Sequence, residues 1–270
     1  MQDIYKLKFP TVSSFEVKYY FTDEDEQQAA RIFPAHVHDS MELYILLEGD
    51  VSFIVESSSY RLRPGDAIVS KPNEIHNCVL NSNSAHKHLC FWFDASCSFL
   101  FQDFLSHEFG ENNLISPAEE DKDRLVELYK QLHEASEKKQ ERKQFYLMLE
   151  MLELFRRGII KQDDSHSMPR VLSDILADIN ENFRKINSLN YFTDVYFVSQ
   201  STLNRLFHEY LHTTPKLYIE TKRLAYSRVL LREGKTVLTA AMESGFTDYS
   251  NYIRLFKKRF GMTPRVYQNS

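Results

Sequence analysis

The sequence predicts a two-domain chain: an N-terminal all-β barrel or jelly roll followed by helices, and a C-terminal all-α part built from two helix-turn-helix units. Three observations carry this expectation. Short, alternating apolar segments separated by Gly and Pro turns occupy the first part. A 22-residue stretch near the end is written twice, 49 positions apart. The charge is also divided. The 270 residues carry −5 overall, yet residues 168–270 hold 15 Lys or Arg against 9 Asp or Glu, net +6, which leaves −11 for residues 1–167.

Taken in order, Val12, Phe15, Val17, Tyr19 and Phe21 mostly alternate with polar residues over 9–21, as a half-buried strand does. An acidic loop is expected at 23–28, and further strands at 41–47, 51–55, 59–62, 67–70 and 88–93. Glu48-Gly-Asp50 and Arg63-Pro-Gly-Asp66 supply the Gly and Pro of tight turns. Short strands so closely spaced argue for an antiparallel barrel over residues 1–115. Between 116 and 160 the period changes. Leu125, Leu128 and Leu132, then Phe145, Met148, Leu149, Leu152 and Phe155 after a charged stretch, recur at three and four, predicting two antiparallel helices on the barrel. Residues 161–168 are polar and aperiodic and are expected to be the linker to a domain at 169–270.

Within that last domain, residues 197–218 align with 246–267 without a gap and share Phe197/Phe246, Ser201/Ser250, Arg205/Arg254, Leu206/Leu255, Phe207/Phe256, Thr214/Thr263, Pro215/Pro264 and Tyr218/Tyr267. Each copy reads as a short helix capped by Ser199 or Asp248 and stopped at Thr-Pro. Leu203 and Phe207, like Tyr252 and Phe256, share a face and are expected to be buried. Ser201, Arg205 and His208, with counterparts Ser250, Arg254 and Lys257, form a separate polar face. Runs at 189–196 and 236–245 are expected to be the supporting helices, with Gly245 making the sharp turn. Two units are too few for a self-sufficient helical array.

A basic helical domain with a free polar face points to double-stranded DNA, because neutralised phosphates release counterions. Arg205 and Arg254 are the expected base readers, since a guanidinium bonds guanine O6 and N7 together. A salt bridge to a neighbouring helix is the structural alternative. Ser201 and Ser250 lie one turn earlier, and Gln200, Tyr249 and Asn251 are secondary candidates. Lys257 and Lys258, clustered with Arg259 and Arg265, suit phosphates; a solvated helix end favoured by the helix dipole is the alternative.

Gly245-Phe-Thr-Asp248, Tyr252-Ile-Arg-Leu-Phe-Lys-Lys258 and Phe260-Gly-Met-Thr-Pro264, preceded by Arg223-Leu-Ala and Leu230-Leu231, resemble the signature of the AraC/XylS family of bacterial transcription regulators. The likeness covers roughly residues 170–268. It implies two helix-turn-helix units joined by a long helix, here about 215–233, with both recognition helices in successive major-groove segments. Three positions depart from the family pattern: Thr193 and Ser227 replace small Ala residues, and no Gly precedes Ser199. The resemblance also implies a homodimer formed through helices like those at 116–160, RNA polymerase as a partner, and an activator.

In the barrel, His36-Val-His38, Glu42, Gly49, Pro64-Gly-Asp66, Pro72 and His76 resemble the two motifs of a cupin, making the first domain a cupin-like jelly-roll barrel. In metal-binding cupins the corresponding His, His, Glu and His hold a divalent ion. Here Glu74 stands where that family usually has Gly, and one residue is missing before His76. Three readings of His36, His38, Glu42 and His76 stay open: a metal site, a ligand pocket, or structural histidines. The expectation is a small-molecule effector near these residues with Tyr44 and Trp92, and no cofactor. Phe53, Phe91 and Phe93 are further candidate lining residues. A metal-dependent sensor or an enzyme such as a dioxygenase or isomerase is the rival reading, which the attached DNA-binding half disfavours.

Cys78, Cys90 and Cys97 form an odd set without CxxC spacing, which argues against a disulfide framework or zinc ribbon. No apolar run approaches a membrane span, and the first residues lack a signal-peptide core, so a cytoplasmic protein is expected.

Overall fold

The computed structural model describes residues 5–8, 16–24, 34–82, 84–161 and 168–269. The expected strand residues 9–15, most of the acidic loop, and the linker residues 162–167 lie outside that set. The chain falls into two compact units, one running to Ser167 and the other covering Met168–Ser270, with the short stretch Pro34–His38 grouped by its contacts with the second.

The first unit is two antiparallel sheets. Strands β1 (Tyr5–Lys8), β2 (Glu16–Glu24), β3 (Met41–Glu48), β6 (Ala67–Ser70), β8 (His86–Phe93), β9 (Leu114–Ser116) and β10 (Ile159–Lys161) form the larger, in the order β1-β2-β8-β3-β6-β9-β10. Strands β4 (Val51–Val55), β5 (Ser58–Leu62) and β7 (His76–Leu80) form the smaller, in the order β5-β4-β7. Strands β1, β7, β9 and β10 were not expected from the sequence, and β8 begins two residues earlier than expected.

Pairing register decides which residues share a face. Glu42 stands opposite Trp92, Leu43 opposite Phe91, and Tyr44 opposite Cys90. With a period of two, the odd-numbered residues of β2, β3 and β8 point one way and the even-numbered the other. The odd face, with Val17, Tyr19, Leu43, Ile45, Leu89, Phe91 and Phe93, is covered by α2 (Lys122–Glu137) and α3 (Glu141–Arg156) in one apolar core. Before these helices come a 3-10 turn at Ala95–Phe101 and the short α1 (Gln102–Leu105). Tyr19 anchors the layer, its hydroxyl 2.7 Å from Ser136 Oγ and donating to Gln144 Oε1 at 2.8 Å. Phe91 and Phe93 are therefore core under the helices and do not line the barrel interior. The stripe expected on α3 is also rotated: Leu147, Met148, Met151, Leu154 and Phe155 are buried, whereas Phe145, Leu149 and Leu152 are only partly so. The even face turns toward the smaller sheet, where Tyr44, Leu46 and Ile68 meet Val51, Phe53, Val55, Tyr60, Leu62 and Cys78.

The second unit is helical: α4 (Arg170–Asn182), α5 (Asn190–Tyr196), α6 (Gln200–Leu211), α7 (Pro215–Arg232), α8 (Val237–Glu243), α9 (Tyr249–Phe260) and α10 (Pro264–Gln268). Ser199, Thr214, Thr236, Asp248 and Thr263 each cap a helix by accepting a hydrogen bond from an amide of its first turn. Pro215 and Pro264 open α7 and α10, where a missing N–H costs nothing. Leu203, Phe207, Tyr252 and Phe256 are fully buried, as expected. Arg223 donates from Nε to the Phe183 carbonyl and from Nη2 to that of Ile186, tying α7 to the end of α4. The Arg228 guanidinium lies 4.4 Å from the Phe260 ring centre, tying α7 to α9.

One sequence pairing does not hold. Phe246 is 8% exposed and packs on Tyr252 with ring centres 5.0 Å apart, whereas Phe197 is 92% exposed. In the first turn the left-handed residue is Phe197 (φ +53°); in the second it is Gly245 (φ +89°), one position earlier in the repeat. A Cβ on Gly245 would lie 2.5 Å from the Arg184 carbonyl oxygen, so both the backbone angle and the close approach require glycine there.

Candidate functional site

The even face of the larger sheet, turned toward the smaller sheet, carries the buried polar side chains of the barrel interior. Trp92 donates from Nε1 to Glu42 Oε2 at 2.6 Å, and His76 Nε2 lies 3.6 Å from the same oxygen. This cross-strand contact follows from the Glu42–Trp92 register. Next along the face, Tyr44 Oη is 2.6 Å from His86 Nε2 and Tyr20 Oη is 3.3 Å from His88 Nε2. The His86 and His88 rings stack with centres 4.6 Å apart, and Tyr44 stacks on His88 at the same spacing. Nδ1 of His86 and of His88 has no hydrogen-bond partner among the described residues.

Burial sets the charge of this interior. Desolvation pulls His86 down to about 4. It pulls His88 to about 3, with His86 adding to the fall and Glu42 opposing it. Burial also pushes Cys78 up to about 12 and Cys90 and Tyr44 well above their ordinary values. These groups are neutral near pH 7. His76 differs: burial disfavours its charge, but Glu42 and Glu74 together outweigh that and the net shift is upward.

Of the six residues expected around an effector, Glu42, Tyr44, His76 and Trp92 sit on this surface, and His36 and His38 precede β3 with ring centres 5.8 Å apart. One ligand atom from each of His36, His38, Glu42 and His76 lies within 4.8 Å of the others. A tetrahedral ion with bonds of about 2.0–2.2 Å spaces its ligand atoms by about 3.3–3.6 Å, so these donors would have to close in to hold a divalent metal. His86, His88, Tyr20 and Cys90 were missed in the sequence. The signal was there, since His86, His88, Cys90 and Trp92 alternate on one strand. A separate apolar cavity of about 250 Å³ lies between the odd face and α3, lined by Leu43, Val69, Phe101, Ile115, Leu152 and Phe155 among others.

In the second unit, Gln200, Ser201, Arg205 and His208 of α6 are exposed, as are Tyr249, Ser250, Arg254, Lys257 and Lys258 of α9, while Asn251 is half-buried. The arginines are held within their own helices: Arg205 Nη1 donates to Glu209 Oε2 at 2.9 Å, and Arg254 Nη2 to Asn251 Oδ1 at 2.7 Å. The exposed Arg205–Glu209 ion pair is worth little to stability. Gln200 donates from Nε2 to Asn190 Oδ1 at 2.6 Å, joining α6 to α5.

Residues 193–270 match the family model described as a helix-turn-helix domain, and residues 26–92 match that of a cupin domain. The transcriptional activator RhaS of Escherichia fergusonii is 28% identical over 120 residues, 44% of this chain and 43% of that protein. RhaS of Enterobacter sp. (strain 638) is 23% identical over 250 residues, 86% of each chain. Among solved structures, ToxT of Vibrio cholerae O395 covers 94% of this chain and 97% of its own at 16% identity, with a TM-score of 0.38. The DNA-binding domain of AdpA in complex with a target DNA covers 36% and 88% at 19% identity, with a TM-score of 0.35. Among the described residues no helix is long and apolar enough to cross a membrane. This chain is thus a cupin domain followed by an AraC-type helix-turn-helix domain, homologous to the RhaS activators of the AraC family.

Proposed function

We propose that the protein is a sequence-specific, DNA-binding transcription regulator, an activator, whose barrel interior takes a small polar effector. The observation that carries the DNA reading is the pair of capped, equally long helices α6 and α9. Each presents a Ser and an Arg at matched positions on an exposed face, in a unit of net charge +6. Arg205 and Arg254 read bases; Ser201, Ser250, Gln200, Tyr249 and Asn251 flank them; His208, Lys257 and Lys258 meet phosphates. The neutral His86, His88 and Tyr44 beside Glu42 and His76 suit a ligand with hydroxyl or amide groups, because the interior offers both donors and acceptors with little net charge. An effector that binds one arrangement of the protein more tightly than another shifts DNA binding by that difference. A homodimer and contact with RNA polymerase belong to this reading.

The test is enrichment of a randomised duplex pool on the purified full-length protein. A recurring sequence supports the reading; salt-sensitive binding with no enriched sequence contradicts it.

A second reading, in which the barrel senses a divalent metal, is favoured by the four converging donors His36, His38, Glu42 and His76. Bound metal would then be the regulating ligand, with Trp92 orienting Glu42 from behind. Zinc or manganese titration read by native mass spectrometry separates the two. One ion per chain, lost in His76→Ala, favours the metal, and no retained ion favours the organic effector.

A further inference from the structure

Phe197 occupies the corner between α5 and α6 with φ +53° and ψ +35°, and its ring is 92% exposed. Left-handed backbone is strained for a residue with a Cβ, and most unusual for a bulky one. A ring left in water also forgoes the burial that phenylalanine otherwise contributes. Neither feature serves the local fold, because glycine would make the same corner without strain and without exposed apolar surface.

The place of the ring supplies a reason. One residue separates it from Ser199, the cap of α6, and the exposed Gln200 and Ser201 follow at once. When the first residues of a recognition helix reach base edges, the corner before it lies at the same groove. The exposed residues that follow it, Ser199, Gln200 and Ser201, are polar and the unit is basic, which fits duplex DNA. The apolar feature that the DNA major groove offers is the 5-methyl group of thymine.

We infer that Phe197 is a specificity residue that packs on a thymine methyl beside the bases met by α6. This rests on the DNA-binding reading. It adds an apolar contact outside the recognition helix, at a corner where the second unit has glycine.

The experiment starts from the duplex that wild-type, full-length protein enriches from a randomised pool. Each thymine is replaced singly by deoxyuridine, which removes only the methyl, and binding is measured by fluorescence anisotropy for wild type and Phe197→Gly. For wild type, one thymine in the half bound by α6 loses about fourfold in affinity on replacement, the worth of one buried methyl. Phe197→Gly binds both duplexes equally and melts at a higher temperature, which shows that the variant is folded. If Phe197→Gly keeps the wild-type preference for thymine over deoxyuridine at every position, the inference is overturned while the DNA reading stands. If wild type enriches no sequence, both fall.

Discussion

The two helix-turn-helix units agree in their second halves and differ at the corner. Helices α6 and α9 have twelve residues each, are capped by Ser199 and Asp248, and bury Leu203 with Phe207 or Tyr252 with Phe256. The supporting helices do not keep that register. In repeat alignment α5 ends two positions later than α8, one residue lies between the left-handed corner and the cap in the first unit, and two lie there in the second. The second corner presses against the Arg184 backbone and excludes any side chain, whereas the first faces solvent and carries a phenylalanine. What the pair holds in common is therefore the seat of the recognition helix. How the chain arrives there is free to vary wherever nothing packs on it.

Truncating its buried rings tests the shared seat. Phe207→Ala and Phe256→Ala each remove a fully buried ring and should cost about 3–5 kcal/mol, measured by urea unfolding of the full chain. A much smaller loss at Phe207 would mean that the first unit is held differently from the second. The corners should respond with opposite signs: Gly245→Ala destabilises by about 2 kcal/mol or more, and Phe197→Gly stabilises by about 1 kcal/mol. Equal signs would remove the distinction between them.

Arg205→Ala and Arg254→Ala should each weaken the preferred duplex by about 1–3 kcal/mol and relax one base position, while Lys257→Ala weakens all sequences alike and lowers the salt slope by about 1. Uniform losses for an arginine variant would take it out of base recognition. Replacing the caps, Ser199→Ala and Asp248→Ala, should cost about 1 kcal/mol each by thermal melting.

Acid distinguishes the barrel from the helical unit. His86 and His88 have folded-state values below their ordinary ones, so the unfolded chain binds more protons between them. Their contribution is present in full above about pH 6.5 and is lost as pH falls toward about 4 and 3. The barrel should melt earlier on acidification, and His86→Asn with His88→Asn should flatten that dependence. A barrel transition unmoved between pH 7 and 4 would contradict the buried, neutral pair.

Much of this was legible in the residues because it depends on local pattern. Caps, Thr-Pro stops and the buried Leu203, Phe207, Tyr252 and Phe256 follow from helical spacing, and most strands from alternation. The face of a strand is different, since alternation says that two faces exist and pairing register says which is inside. Phe91 and Phe93 were candidate lining residues for that reason and belong to the helix-covered core, while His86 was left outside the strand that carries it into the barrel interior. Helix α4 was overlooked although Leu172, Ile175, Leu176 and Ile179 recur at helical spacing. The expected α3 stripe contained partly buried positions because several apolar residues border the true face. The exposure of Phe197 was hidden by its alignment with the buried Phe246, since identity in a repeat does not show that two corners share a conformation.

Both helix-turn-helix units are expected to read one duplex together, in successive major-groove segments about one helical turn apart. This is tested by inserting about five base pairs, half a turn, between the two halves of the enriched site and then about ten, and measuring affinity for each. Joint reading predicts that the half-turn insertion abolishes most of the specific affinity by moving one half to the opposite face of the DNA. It also predicts that Arg205→Ala and Arg254→Ala relax different halves. Affinity unchanged by the half-turn insertion, or both arginine variants relaxing the same half, would contradict it.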